Sequence, residues 1–453
     1  MPPESQRTIA ARLFRLAAPI IGINVLSVLT LAVDTAMCGR LENSDTVLKA
    51  LGFAAQLVFL LMVAMMGLVV GTVALVARAY GAKQHDRVSH LLAQSTQLTV
   101  IVGVSIAIVG NIFAPSLLRL LGASDDVVEQ GLEYLRPMLT GAVFYYLTIH
   151  YGGVLRGVGN TRLPFLVALL ANAVNVALDY AFILGNWGFP AMGVSGAAYA
   201  TVISYAINVA VMVIVLRRGV VPGLGAPLRP QALDRPLARE LYRIGAPAAL
   251  DMLILNVAFL SIIGMLGRID ELAVAAHGIG LRIQALAFVP GLGISQATGA
   301  LVGQALGAGD PHQARQIARA SMLLCTVIMT GLGAAIIGSA YPIVAVFDVA
   351  SNTRLEMLSV QWMFLLGYCM PPVGVHIALV GVLQGAGATN TTLAINFFST
   401  VLIQVPLSYV LGFTFDLGSF GVWLSFPLSF IIKAALDYIA YRRGTWARTG
   451  VTV

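Results

Sequence analysis

The sequence predicts an all-α integral membrane protein: twelve transmembrane helices in two duplicated six-helix lobes around a central cleft. Three observations carry this reading. Apolar runs long enough to cross a bilayer recur about twelve times, the loops between them alternate in charge, and the second half of the chain repeats motifs of the first.

Of the 453 residues, 58% are hydrophobic and only 10% charged, against roughly 25% charged in soluble domains. The net charge of +7 would suit a nucleic-acid partner if it were gathered on one face. Here the basic residues cluster in short loops between apolar runs, so they read as topology signals, and nucleic acid is not an expected partner.

The runs begin near Leu16, Gly52, Leu91, Leu132, Leu163, Val194, Ile244, Leu272, Ala318, Leu358, Leu393 and Phe420. The opening segment, with its basic lead, resembles a signal peptide. No small-residue cleavage site follows and the run is long enough to span, so it is taken as the first helix. One side of the membrane receives Arg7, Arg12 and Arg15, then Arg78, Lys83 and Arg87, Arg156 and Arg162, the arginines of the longest linker including Arg229, then Arg315 and Arg319, and Arg442, Arg443 and Arg448. The other side is mixed or acidic, with Glu42, Asp45, Asp125 to Glu133, Asp270, Glu271, Asp348, Glu356 and Asp416. Basic loops face the cytoplasm, which places both termini there.

RLAAP at Arg15–Pro19 returns as RIGAP at Arg243–Pro247, TVALVARAYGA from Thr72 as TGALVGQALGA from Thr298, and VLRGVGNT from Val154 as VLQGAGAT from Val382. The spacing is about half the chain each time, the signature of an internal duplication. Six helices is an even number, so the halves share one orientation. Residues 1–218 form the first lobe, 219–240 a cytoplasmic linker and 241–453 the second lobe. Two related lobes suit alternating access better than a channel does.

Asp34 lies in an otherwise uncharged run from Leu16 to Gly39, and Asp179 in another from Leu163 to Gly185. A carboxylate inside the membrane costs several kcal/mol and marks a candidate functional site. Both helices run outward, and both acids lie about one and a half turns from the outer end, at similar depth. Asn172, Asn175 and Asp179 follow i, i+3, i+7, a polar stripe on one helix face. Tyr199 and Thr201, near the outer start of the next helix, come within reach of that depth. Desolvation and a neighbouring like charge both favour the protonated form of a carboxylate, so such a pair can take up and release a proton. By the repeat spacing Asp34 maps to Ile262, Asn175 to Ile403 and Asp179 to Leu407. The second lobe therefore lacks these groups, and the ion-responsive role falls to the first.

VDTAMCGRL at Val33–Leu41, GQALGAGD at Gly303–Asp310, LRGVGNTRLP at Leu155–Pro164 and NAVNVALDYAFILG followed by GVSGAAYATV resemble the multidrug and toxic compound extrusion (MATE) transporters, in order and over essentially the whole chain. The resemblance implies two six-helix lobes with a central cleft. It implies export of amphipathic, often cationic, compounds against inward flow of protons or sodium, with no other cofactor. It carries a polar cluster onto Asp34, Asn175, Asp179 and Thr201. Some relatives hold further carboxylates deep in helices 7 and 10. Here helix 10 has only Glu356 at its mouth, and Asp251 in helix 7 lies about two turns in from the cytoplasm. This departure favours protons, with sodium as the alternative.

Asn172, Tyr199, Tyr145, Tyr146, Phe59 and His376 are candidate cavity residues for lipophilic small molecules, through aromatic and polar contact. His376 is also open to a packed, hydrogen-bonded reading, and Asp251 and Arg282 to structural ones. Pro19, Pro290 and Pro371 are candidate hinges, the last two expected to break their helices. Cys38, Cys325 and Cys369 all lie in apolar runs and form neither a disulfide framework nor a metal site. A monomer in membrane lipid suffices for the mechanism. The rivals are a lipid-linked oligosaccharide flippase and, from another class, an intramembrane enzyme using the acids of SDDVVEQGLEYL. The flippase should show cationic cavity residues, whereas the intramembrane charges of the first lobe are acidic. The acids after Ser124 read as an ordinary helix start outside the membrane, and no catalytic motif is present.

Overall fold

The computed structural model describes residues 6–39, 44–221, 224, 231–347 and 353–448. Glu42, Arg229 and Asp348, used above to assign loop sides, lie outside the described residues. Among those described there is no strand. The helices are α1 (Gln6–Cys38), α2 (Ser44–Gly81), α3 (His85–Leu120), α4 (Asp125–Thr140), α5 (Ala142–Gly157), α6 (Arg162–Phe182), α7 (Gly193–Arg217) and α8 (Arg235–Ile269). They continue with α9 (Glu271–Gly307), α10 (Pro311–Gly338), α11 (Ala340–Ala345), α12 (Thr353–Gly385), α13 (Thr389–Asn396), α14 (Val405–Tyr409) and α15 (Gly418–Arg443).

Among the described residues, eleven helices are long and apolar enough to cross a membrane. The expected fourth span is the exception, because it is made of α4 and α5, each of 16 residues. At 1.5 Å per residue each is about 24 Å long, short of a hydrocarbon core of about 30 Å. The break falls at Gly141. Pro137 cannot donate to the turn before it, and Val202 of α7 packs so closely that a Cβ on Gly141 would meet its side chain at 2.5 Å.

The expected breaks at Pro290 and Pro371 are corrected: α9 and α12 run unbroken through them. Loss of one backbone bond is tolerated where neighbouring helices hold the turn. Pro19 likewise sits inside continuous α1. The irregular span is instead Thr389–Thr414, where π-helical stretches Phe397–Gln404 and Val410–Thr414 flank α14. Pro406 there cannot donate to the carbonyl of Leu402.

The duplicated motifs build duplicated turns. After α5, Asn160 N–H bonds Leu155 O at 2.8 Å; after α12, Ala388 N–H bonds Leu383 O at 2.8 Å. Each closes over a left-handed glycine, Gly159 at φ 86° and Gly387 at φ 76°, the conformation glycine adopts without a Cβ penalty. Helix starts follow local chemistry too. Asp270 accepts from Leu272 N–H at 3.0 Å, and Asp310, followed by Pro311, accepts from Gln313 N–H at 2.8 Å.

Two compact units result. One is Gly22–Gly245; the other is Ala246–Val453 together with the chain up to Ile21. In the second unit, α9 and α12 pack backbone to backbone. A Cβ on Gly385 would clash with the backbone of Gly299, and one on Gly381 with that of Ser295, the small-residue packing typical of membrane helices.

Candidate functional site

Within Gly22–Gly245, α1 and α6 run parallel. Gly22 lies against the Phe165 ring, Thr30 Oγ1 donates to Asn172 Oδ1, and Asp34 meets Asp179 side chain to side chain, close enough to share a hydrogen bond. Positions rise together on both helices, as two spans crossing in one direction require. Asp34 is 7% exposed and Asp179 fully buried. Asp34 Oδ1 and both Asp179 oxygens have no donor. Ionised carboxylates only accept, so a hydrogen bond between these two requires a proton on one of them.

Asn175 is buried one turn before Asp179, and its Nδ2 reaches Thr201 Oγ1 at 3.5 Å, the long limit of a hydrogen bond. Its Oδ1 lacks a donor. Asn172 Nδ2 is held by Ala168 O at 2.7 Å. The structure thus gathers Asp34, Asp179, Asn172, Asn175 and Thr201 along the facing sides of α1, α6 and α7. Tyr199, two residues before Thr201 on α7, is 43% exposed.

Two tyrosines that the sequence reading passed over complete the surroundings. Tyr134 of α4 and Tyr205 of α7 lie within electrostatic reach of Asp34, as does Cys38. The signal was available for Tyr205, which follows Thr201 by one helical turn on the same face. Tyr205 packs on Tyr145 with ring centroids 5.1 Å apart, and Tyr145 on Tyr146 at 5.8 Å. Tyr146 donates to Leu61 O at 2.8 Å. Tyr145, Tyr146, Tyr205 and Met138 line a groove at the α4–α5 break. Phe59 lies on the same stretch of α2 as two lining residues but is not itself among them.

The second unit holds buried charge of its own, at positions other than those related to Asp34, Asn175 and Asp179. In the second unit, Asp251 of α8 accepts from Asn396 Nδ2 of α13 at 3.0 Å, and His376 Nδ1 of α12 lies 2.6 Å from Asp437 Oδ2 of α15. Lys433, 2% exposed, stands in electrostatic reach of both acids. Repeat mapping missed this group because none of its members falls on a position related to Asp34 or Asp179. Lys433 and Asp437 sit one turn apart near the basic end of the last span, where they read as a solvated terminus. Arg282 takes no part and lies over the Phe347 ring, 5.8 Å from its centroid.

A family model for MatE matches residues 19–181 and again residues 247–410, once in each half. A Thermotoga maritima protein named probable multidrug resistance protein NorM is 28% identical, over 100% of this chain and 96% of its own. A Bacillus subtilis protein named probable multidrug resistance protein YoeA is 27% identical over 96% and 93%. A Shewanella oneidensis protein named FAD transporter is 28% identical over 93% and 92%. Among solved structures, one described as the outward-facing conformation of a multidrug resistance MATE family transporter of the MOP superfamily is 25% identical and covers 97% of each chain at a TM-score of 0.89. Another, described as MATE in the bent conformation, is similar in fold, at 24% identity over 98% of each chain and a TM-score of 0.89.

Proposed function

The chain belongs to the MatE family, and on that premise we propose that it is a secondary active exporter. It expels amphipathic, cationic small molecules across a bacterial inner membrane in exchange for protons, by alternating access, as a monomer with both termini in the cytoplasm. The relatives named for multidrug resistance support efflux, and the basic loops support the orientation.

One observation carries proton coupling: the Asp34–Asp179 contact, buried and without donors. A proton between the two carboxylates bonds them; its loss leaves two like charges in apolar surroundings, which must separate or admit water. Either response moves α1 against α6, and through Tyr205 and Tyr145 it reaches the groove at the α4–α5 break. Sodium is the alternative coupling ion, because the same donor-free oxygens would accept a cation.

The test is efflux of a fluorescent lipophilic cation from everted vesicles under an imposed pH gradient, then a sodium gradient, for wild type and Asp34→Asn. An anionic dye serves as the control suggested by the relative named for FAD. Proton-driven export that disappears in the variant is the expected result. Sodium-driven export replaces the coupling ion. Folded wild type that moves nothing under either gradient overturns the reading in favour of a lipid-linked oligosaccharide flippase.

A further inference from the structure

The two units differ at the basic end of one duplicated helix. In the first unit the linker covers the start of α3. Gln94 holds Ala232 O and Asp234 N–H, Gln97 accepts from Gln231 N–H, and His90 meets the Asp234 carboxylate. The spacing that relates Thr72 to Thr298 relates Gln94 to Ala320 and Gln97 to Leu323, and it relates Ser89 and Ala93 to Arg315 and Arg319. The start of α10 therefore has neither glutamine to hold a covering strand. It carries two exposed arginines instead, where the first unit receives an acid.

The chain after α15 adds to this charge. Gly444, left-handed at φ 69°, ends the helix and turns the chain back. Trp446, 1% exposed, then stacks on Tyr441 at 5.9 Å and donates to Tyr441 O at 2.9 Å. The Tyr441 hydroxyl reaches Arg315 O at 3.5 Å, and a Cβ on Gly444 would lie 3.3 Å from the Arg315 guanidinium. This hook fixes Arg442 and Arg443 beside Arg315, with Arg319 one turn along α10 and Arg448 just past Trp446. All five arginines are exposed, and among the described residues none of them forms an ion pair. The nearest acids along the chain are engaged elsewhere. Asp310 caps α10 through Gln313 N–H, and Asp437 is fully buried against His376.

Two exposed apolar faces run away from these arginines. On α10, Arg315 and Arg319 continue at helical spacing as Leu323 and Val327, 69% and 60% exposed. On α15, Arg442 is preceded by Tyr438 and Ile431, 45% and 56% exposed. Between the two helices lies α12, packed on α10 through Gly374 and on α15 through His376. We propose that this end of the second unit binds an anionic phospholipid. The guanidinium groups offer paired N–H donors to the phosphate oxygens, Tyr438 stands at headgroup level, and the acyl chains lie on the apolar faces of α10 and α15. Basic sites between membrane helices hold acidic headgroups in this way. A free phosphate would satisfy the arginines alone, whereas the apolar faces that continue from them select a lipid. The hook orders Arg442 and Arg443 in advance, which lowers the cost of binding. Bound there, the phosphate joins α10 to α15 at the end where Tyr441 already links them.

The site does not rest on the export reading, and its test needs no transport. The full chain in detergent is titrated with phosphatidylglycerol or phosphatidylcholine, and the tightest-bound lipid is followed by native mass spectrometry. Wild type should retain phosphatidylglycerol in preference. Arg315→Gln/Arg442→Gln alters two exposed side chains and so keeps the fold; it should weaken that binding by roughly 30-fold. Arg217→Gln/Arg218→Gln removes the same charge from the end of α7 in the first unit and should leave the binding unchanged. Equal loss in both pairs overturns the proposal in favour of diffuse attraction, and unchanged binding in the Arg315/Arg442 pair overturns it outright. Equal retention of phosphatidylcholine does the same, because the site would then read no net charge. Glycerophosphoglycerol, the headgroup without acyl chains, should not compete; competition at the lipid's own concentration would assign the arginines to a soluble anion instead.

Discussion

Both oxygens of Asp179 lie buried beside a second carboxylate, with no donor for either, so this contact costs the fold stability unless a proton bridges it. Asn175 is only half in that position: its Nδ2 reaches Thr201, while its Oδ1 has no donor. Asp179→Asn should therefore separate stability from transport. At a pH where the pair has lost its proton, the new amide donates to Asp34 and replaces two like charges with a hydrogen bond to a charged group, a gain of about 1.5–3 kcal/mol. The thermal midpoint of the purified variant should rise while gradient-driven export falls to background. A midpoint that drops below wild type would show that the pair holds α1 and α6 together, and the coupling role would lose its main support. Residues that lower stability without an evident structural gain tend to be functional, and intramembrane acids are the most readable case because their cost shows in the sequence itself.

At the scale of elements, hydropathy counts length and says little of the backbone within it. Runs of apolar residues located the eleven helices long enough to cross among the described residues, yet the break at Gly141 was not read, because it depends on Val202 arriving from another helix. The prolines misled in the opposite direction: Pro290 and Pro371 sit inside continuous helices, while Pro406 lies among π-helical turns. The end of the linker is a further element the sequence left blank. Buried Gln94 of α3 donates to Ala232 O at 2.9 Å and accepts from Asp234 N–H at 3.1 Å, and His90 contacts Asp234 Oδ2 at 2.9 Å. Asp234 therefore fastens residues 231–234 onto α3. Its carboxyl is held below the ordinary range by the hydrogen bond with His90 and then by Leu237 N–H. A lowered native value means the fastening is complete above the ordinary aspartate value of about 3.9 and is lost as pH falls through the lower native one. A nitroxide on Leu233→Cys should stay immobile at neutral pH and gain mobility only in acid below about pH 4. The same label in Asp234→Asn should be mobile at every pH; a label equally immobile in that variant would assign the fastening to Gln94 and to Gln97, whose Oε1 accepts from Gln231 N–H at 3.3 Å.

For the whole molecule, duplication was the most legible property, because repeated sequence makes repeated turns, Gly159 and Gly387 closing matching ones. The asymmetry was read only in part. The acids of the first half were visible against an uncharged background, whereas Lys433 and Asp437 were hidden by their nearness to a basic terminus and needed α15 folded against α12 to appear as buried. Orientation is the property of the whole chain that the loops argue most directly, and it is open to a clean test. All three cysteines are buried, so a membrane-impermeant maleimide should leave the native protein unlabelled and an introduced cysteine should report against a silent background. Gln84, exposed between α2 and α3 with no side-chain capping bond, belongs to a loop with Lys83 and Arg87. Asp126, exposed in the first turn of α4, belongs to the acidic side. Basic loops stay on the cytoplasmic face because moving them across is opposed during insertion. Gln84→Cys should therefore label only in everted vesicles and Asp126→Cys only in right-side-out cells. The reverse pattern would invert the whole topology, placing both termini outside and turning the direction of export assumed for Asp34 and Asp179 into import. Labelling of both from one face would mean an even number of crossings between them, and α3 would no longer count as a span.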